Sequence, residues 1–239
     1  MSNPMKNTFL TASVLSILSL STVFVAAPSQ AAVINGSFEN SLTGWTKTGT
    51  AGSISAFSDA IPTDGSKQAG LTTYSAGVST ASLEAFVGLS AGSLNSLGNG
   101  TVSGGTAIQQ TFAATAGDVI SFDWNFLTFE DTPSSNYNDF AFVSFNGLTE
   151  LADTNSAFYD TSTIFREQTG YQTTSFTVAT TGTYTLSLGV VSVGDGRAPS
   201  ALLVDNVRTE SVPEPASMLG ILAFGALGGR KLLKRKQQA

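Results

Sequence analysis

Between Val119 and Thr128 the chain alternates without a break, with Ile120, Phe122, Trp124 and Phe126 on one side and Ser121, Asp123 and Asn125 on the other. A period of two gathers apolar groups on one face only in an extended chain; a helix would scatter the same residues around its circumference. The segment therefore predicts a strand with one buried and one polar face, Trp124 lying in the core. Tyr184, Leu186, Leu188 and Val190 repeat the pattern against Thr185, Ser187 and Gly189, and Ala201 to Val207 supplies a last apolar strand. From Ile34 onward turn signals recur every eight to twelve residues and no apolar pattern persists at helical spacing. Seven or more such strands predict an all-β fold of two sheets packed as a sandwich.

Three local patterns refine this. Phe140 to Phe145 is nearly continuous in apolar residues and closes on Asn146-Gly147, a dipeptide that accepts positive φ, so it predicts a strand central in its sheet. Gln110-Thr111-Phe112 leads through Ala116-Gly117-Asp118 into a strand, and Thr174-Ser175-Phe176 leads through Thr181-Gly182-Thr183 into another, which predicts a recurring hairpin. Ser90 to Gly105 is rich in Gly and Ser and predicts a long surface loop.

The ends differ from the body. Lys6, the apolar stretch Phe9 to Ala27 and the small residues of Ser29-Gln30-Ala31 form a secretory signal peptide over 1–31, cut between Ala31 and Ala32. An uncleaved N-terminal membrane helix is the alternative. At the other end, 212–239 opens on Pro213-Glu214-Pro215 and continues through an apolar run, Ala216 to Gly229, to the basic residues Arg230, Lys231, Lys234, Arg235 and Lys236. A helix over that run rises about 21 Å against a hydrocarbon core of about 30 Å. The basic cluster makes a cytoplasmic stop and places the body, 32–211, outside.

This tripartite tail resembles the PEP-CTERM sorting signal, and it does so through the Pro-Glu-Pro motif, the apolar run and the basic end in that order. The resemblance implies processing by the membrane enzyme exosortase and delivery to the cell surface or the exopolysaccharide matrix, with the membrane contacted through the tail. A permanent single-pass anchor is the alternative.

The body holds sixteen acidic and five basic residues, a net charge of −11, which repels nucleic acid because that binding needs Lys and Arg to neutralise phosphates. The chain has neither Cys nor His, which removes thiolate chemistry, Cys-based metal sites and a Ser-His-Asp triad. Gly77-Val78-Ser79-Thr80-Ala81 looks like a nucleophile elbow only superficially. A non-catalytic protein is therefore expected.

Ile34-Asn35-Gly36-Ser37-Phe38-Glu39, followed by Gly44-Trp45, resembles the opening strand of jelly-roll sandwiches of the carbohydrate-binding-module kind, and Leu203-Val204-Asp205-Asn206-Val207 resembles their final strand. That resemblance implies a jelly-roll-like sandwich, glycan binding and a structural calcium held by Glu39 and Asp205; solvated strand-end carboxylates are the alternative. Sugar-binding sandwiches stack apolar sugar faces on exposed rings, which makes Trp45, Tyr137 and Tyr159 candidate glycan contacts, with Phe158 beside them; core packing is the other fate of such rings. A further polar group, Asp123, Asn125, Glu130, Asp131, Asn138 and Asp139, is either a polar strand face with a turn or, in a polysaccharide hydrolase, an acid and nucleophile pair. A structural or adhesive surface protein without sugar binding is the remaining reading.

Overall fold

The computed structural model describes residues 32–211. The signal peptide, the Pro213-Glu214-Pro215 motif, the apolar run and the basic stop lie outside the described residues; Ala32 is exposed. Among the described residues no helix is long and apolar enough to cross a membrane.

In chain order the strands are β1 (Thr46–Thr48), β2 (Thr50–Ile54), β3 (Gln68–Thr72), β4 (Val102–Ala114), β5 (Val119–Thr128), β6 (Phe140–Ser144), β7 (Leu148–Asp153), β8 (Tyr159–Asp160), β9 (Glu167–Gln168), β10 (Gln172–Thr177), β11 (Gly182–Val193) and β12 (Ser200–Glu210). One helix, α1, covers Thr80–Val87. Five strands pair in the order β1-β4-β11-β6-β7; the other seven form β2-β3-β12-β5-β9-β8, with β10 also on β5. All-β and two-sheeted, the body is a β-sandwich. The chain passes from one sheet to the other between β1 and β2 at Gly49, whose φ of 76° lies in the left-handed region.

The main core lies between the sheets. Ile120, Phe122, Trp124 and Phe126 of β5 and Leu202 and Val204 of β12 meet Ile108, Leu186, Leu188, Val190, Ala141 and Val143 of the facing sheet. The alternation in β5 thus points its apolar set inward as the pattern requires, and Trp124 is core at 7 % exposure. Its polar face departs from expectation, because Ser121, Asp123 and Asn125 are buried too. Side chains from 55–66 and from β9, the strand beside β5, meet that face. Asn125 Nδ2 donates to Gln168 Oε1 at 2.7 Å, and Gln168 Nε2 donates to Asp59 Oδ2 at 2.9 Å.

The near-continuous apolar run of β6 has the same cause on the other sheet. It is an interior strand between β11 and β7. Ala141 and Val143 face the main core, while Phe140 and Phe142 pack outward with Val191 and Val193 against Leu83 and Val87 of α1 and against Leu94. Asn146 and Gly147 both take positive φ, 57° and 149°.

Three expectations change. Ser90 to Gly105 is not a free surface loop: Leu94 is fully buried, Asn95–Leu97 form a 3-10 turn and β4 begins at Val102. The echoing segments are not hairpins, since β4 and β11 belong to one sheet and β5 and β10 to the other. Each is an arch between sheets, and the arches lie side by side, Gly117 N donating to Val178 O and Val178 N to Asp118 O, both at 2.8 Å. Ile34 to Glu39 is not a strand either, because Asn35 and Phe38 take φ of 52° and 54°. It runs against β12 through one bond, Val207 N to Gly36 O at 3.0 Å.

Candidate functional site

The outer face of the seven-stranded sheet carries an open groove of about 500 Å³. Register explains its floor. Thr50 pairs with Thr72 and Thr72 with Ala201, while Gly52 pairs with Gly70 and Gly70 with Leu203, so these rows lie across β2, β3 and β12 on one face. Neither Gly52 nor Gly70 puts a side chain on the floor; a Cβ at Gly52 would meet nothing within 4 Å, whereas over Gly70 the Ile54 side chain already lies, its Cδ1 2.9 Å from where a Cβ would stand. Tyr74 and Ile164 border the groove at 64 % and 69 % exposure, and no charged residue lines it. An exposed ring over an uncharged floor can stack on the apolar face of a sugar.

Phe165 lines both this groove and a second, polar depression of about 580 Å³. Glu130, Asp131, Asp160 and Glu167 line the latter together with Arg166, whose guanidinium is bound to Asp131. Glu130 is 8 % exposed and its Oε1 has no hydrogen-bond partner. Burial, then the charges of Asp195 and Asp131, push its carboxyl up to about 7. Behind it Asp139 is fully buried and accepts from Val193 N and Ser200 Oγ, both at 2.8 Å. Burial pushes Asp139 to about 7 as well, against those donors and with the help of the Glu130 charge.

The polar group read from sequence is therefore two groups. Asp123 pairs across strands with Asp205, whereas Asp139 holds Ser200, five residues earlier on β12 and roughly 17 Å away at strand rise. Glycosidase carboxylates stand about 5–9.5 Å apart, so Asp123 and Asp139 do not form such a pair, and Asp139 presents no surface to a substrate. Burial pushes Asp123 up, but donors from Thr173 and Asn206 outweigh it and hold the carboxyl below its ordinary value. Asn138 binds Asp153 and Thr154. Ser79 is the N-cap of α1, its hydroxyl accepting from Ser82 N.

Glu39 and Asp205 do converge, on one loop. Glu39 Oε1 accepts from Ser66 N at 2.5 Å and Lys67 N at 2.7 Å, and Oε2 accepts from Ser66 Oγ at 2.8 Å. Asp205 Oδ2 accepts from Thr63 N at 2.7 Å and Asp64 N at 2.8 Å, and Oδ1 from Asn206 N at 2.8 Å. All four oxygens thus face N–H or O–H donors, where calcium needs six to eight oxygen ligands. Among the described residues no three acidic side chains gather to hold a metal. As folded, the pair clamps that loop through these donors. The Ser66 amide leads in holding Glu39 below its ordinary value, whereas burial raises Asp205 to about 6.

Of the rings, Trp45 is corrected. It is 7 % exposed, lies 5.3 Å from the Phe38 ring centroid and donates through Nε1 to Asn35 O, so it is core and offers no face to a sugar. Tyr137 and Tyr159 are exposed at 42 % and 55 %, but neither borders the groove. Phe158 packs on Phe126 at 6.0 Å. Tyr74 is the ring that sequence reasoning passed over; the strand glycines Gly52 and Gly70 were the available signal.

No family model and no curated protein matches the chain. Solved structures do. A family 61 carbohydrate-binding module in complex with β-1,4-galactotriose aligns at TM-score 0.41 and 14 % identity, over 77 % of this chain and 100 % of that one. A family 16 carbohydrate-binding module aligns at 0.38 and 14 %, over 74 % and 98 %. The K3 cleaved adhesin domain of Lys-gingipain from Porphyromonas gingivalis aligns at 0.35 and 11 %, over 76 % and 100 %.

Proposed function

We propose that this chain is an exported, non-catalytic surface or matrix protein, processed by exosortase through its PEP-CTERM-like tail, whose body binds glycan on the outer face of the seven-stranded sheet. The observation that carries the binding reading is the open groove: a glycine-paired floor, no lining charge, and Tyr74 at its border with most of its ring in solvent. A neutral sugar chain can lie on such a floor with its apolar faces against Tyr74 and Ile164. Stacking of this kind is worth enough to decide affinity when the ring is already held in place. The charge of the body, −11, suits a neutral or cationic polymer and disfavours an anionic one.

The test is titration of the whole protein with neutral β-linked hexose oligomers, beside Tyr74→Ala. The wild type binds and the variant loses about tenfold in affinity, or about 1.4 kcal/mol, with its melting temperature unchanged. Absence of binding across neutral oligomers, with sugar-independent self-association in its place, overturns the glycan reading in favour of an adhesive role. The export and sorting part is tested separately by intact mass from membrane and medium fractions of the host. A product that begins at Ala32 and ends near Pro213 supports it, and a species that retains Arg230 to Ala239 sinks it.

A further inference from the structure

We propose that the acidic cavity beside the groove is a subsite for a primary ammonium group, taken from an amino sugar whose nitrogen is not acetylated. The choice of a sugar as carrier of the amine rests on the glycan reading above; the preference for a cation does not.

Four acidic side chains line the cavity against a single guanidinium, so its lining charge is −3 when Glu130 is ionised and −2 when it is protonated. Arg166 is already committed to Asp131, and Thr132 Oγ1 donates to Glu167 Oε2. Glu130 is the exception, because its side chain is buried to 8 % exposure and Oε1 receives no donor from the chain. A buried carboxylate oxygen left without a donor costs about 1–3 kcal/mol, more when ionised. Neighbouring negative charge increases that cost, and Asp131 and Asp195 both act on Glu130. A cationic ligand in the cavity offsets that neighbouring charge.

Two further observations narrow the ligand. The volume, about 580 Å³, suits a ligand of one to a few sugar rings. The cavity also meets the Tyr74 groove at Phe165, which lines both. A chain lying in the groove and crossing Phe165 places its next ring among Glu130, Asp160 and Glu167.

The experiment titrates the whole protein with a β-1,4-linked glucosamine tetramer and, separately, with its fully N-acetylated counterpart. The variants are Glu130→Gln and Asp160→Asn, the second at an exposed position that leaves folding intact. The free-amine tetramer is expected to bind at least tenfold tighter than the acetylated one, and each variant to lose most of that difference while melting at or above the wild-type temperature. Equal affinity for the two tetramers, or an unchanged preference in both variants, overturns the subsite. Equal competition by pentalysine overturns the sugar as carrier, and calcium-dependent stabilisation abolished by Glu130→Gln reassigns the cavity to a metal ion. Neutral oligomers that still need Tyr74 while the amine preference is absent remove only this inference. An amine preference without Tyr74-dependent binding removes the groove reading and leaves the subsite.

Discussion

Single residues in this body divide by what lies beyond their polar atoms. Asp205 is fully buried, yet its oxygens hold the amides of Thr63, Asp64 and Asn206, so it pins the loop that covers the outer face of its sheet. Asp205→Ala leaves those amides without a charged acceptor and is expected to cost about 2–3 kcal/mol in denaturant unfolding. Because donors already fill the pair, a strong chelator is expected to leave the melting temperature of the wild type unchanged; a drop of several degrees would restore calcium to Glu39 and Asp205. Trp45 behaves as core. Trp45→Ala is expected to cost about 3–5 kcal/mol through the lost contact with Phe38, without altering sugar affinity of the folded protein. Carboxylate pairs and aromatic rings are visible in a sequence, but whether a donor or solvent meets them is not.

At the scale of elements, the helix explains the strand beneath it. Leu83 and Val87 are four residues apart on α1 and cover Phe140 and Phe142, which is why β6 is apolar on both faces. Leu83→Ala opens a cavity over β6 and is expected to cost about 2–5 kcal/mol, and Ser79→Ala, which removes the N-cap, about 1 kcal/mol. Thermal melts of the two variants give the order directly. The fit between sheet and helix also needs Gly105, where a Cβ would stand 2.5 Å from Val190 O and 2.9 Å from Leu83 Cδ2. The strands β5, β6, β11 and β12 were legible because burial repeats along them with period two or runs unbroken. The helix was not, since eight residues with only Leu83, Glu84 and Val87 buried give a short signal, although Ser79 and Gly88 are ordinary cap residues.

For the whole molecule, stability follows the buried acids. Asp139 and Asp205 are fully buried with carboxyls raised to about 7 and about 6, from an ordinary 3.8. The folded state therefore holds their protons more tightly than the unfolded chain. That contribution is complete below pH 4 and is lost as pH rises through 6 and 7. Glu39, Asp59 and Asp123, held below their ordinary values, act oppositely, and their contribution disappears as pH falls under about 4. The melting temperature is expected to be highest near pH 4–5 and roughly 5–10 °C lower at pH 8, a fall that Asp139→Asn reduces. A flat profile between pH 5 and 8 would refute the burial argument. The amino-acid sequence by itself determined the class of the fold, the strands with strong alternation, the acidity of the body and the absence of His and Cys chemistry, because periodicity and composition are properties of the linear chain. Only the tertiary structure decided that the arches cross between sheets, that Trp45 is buried, that Asp123 and Asp139 are separate, and that Tyr74 meets Gly52, Gly70 and Phe165 around one face. Those are relations between segments tens of residues apart, and they are set by which sheet each strand joins and what packs on its outer side.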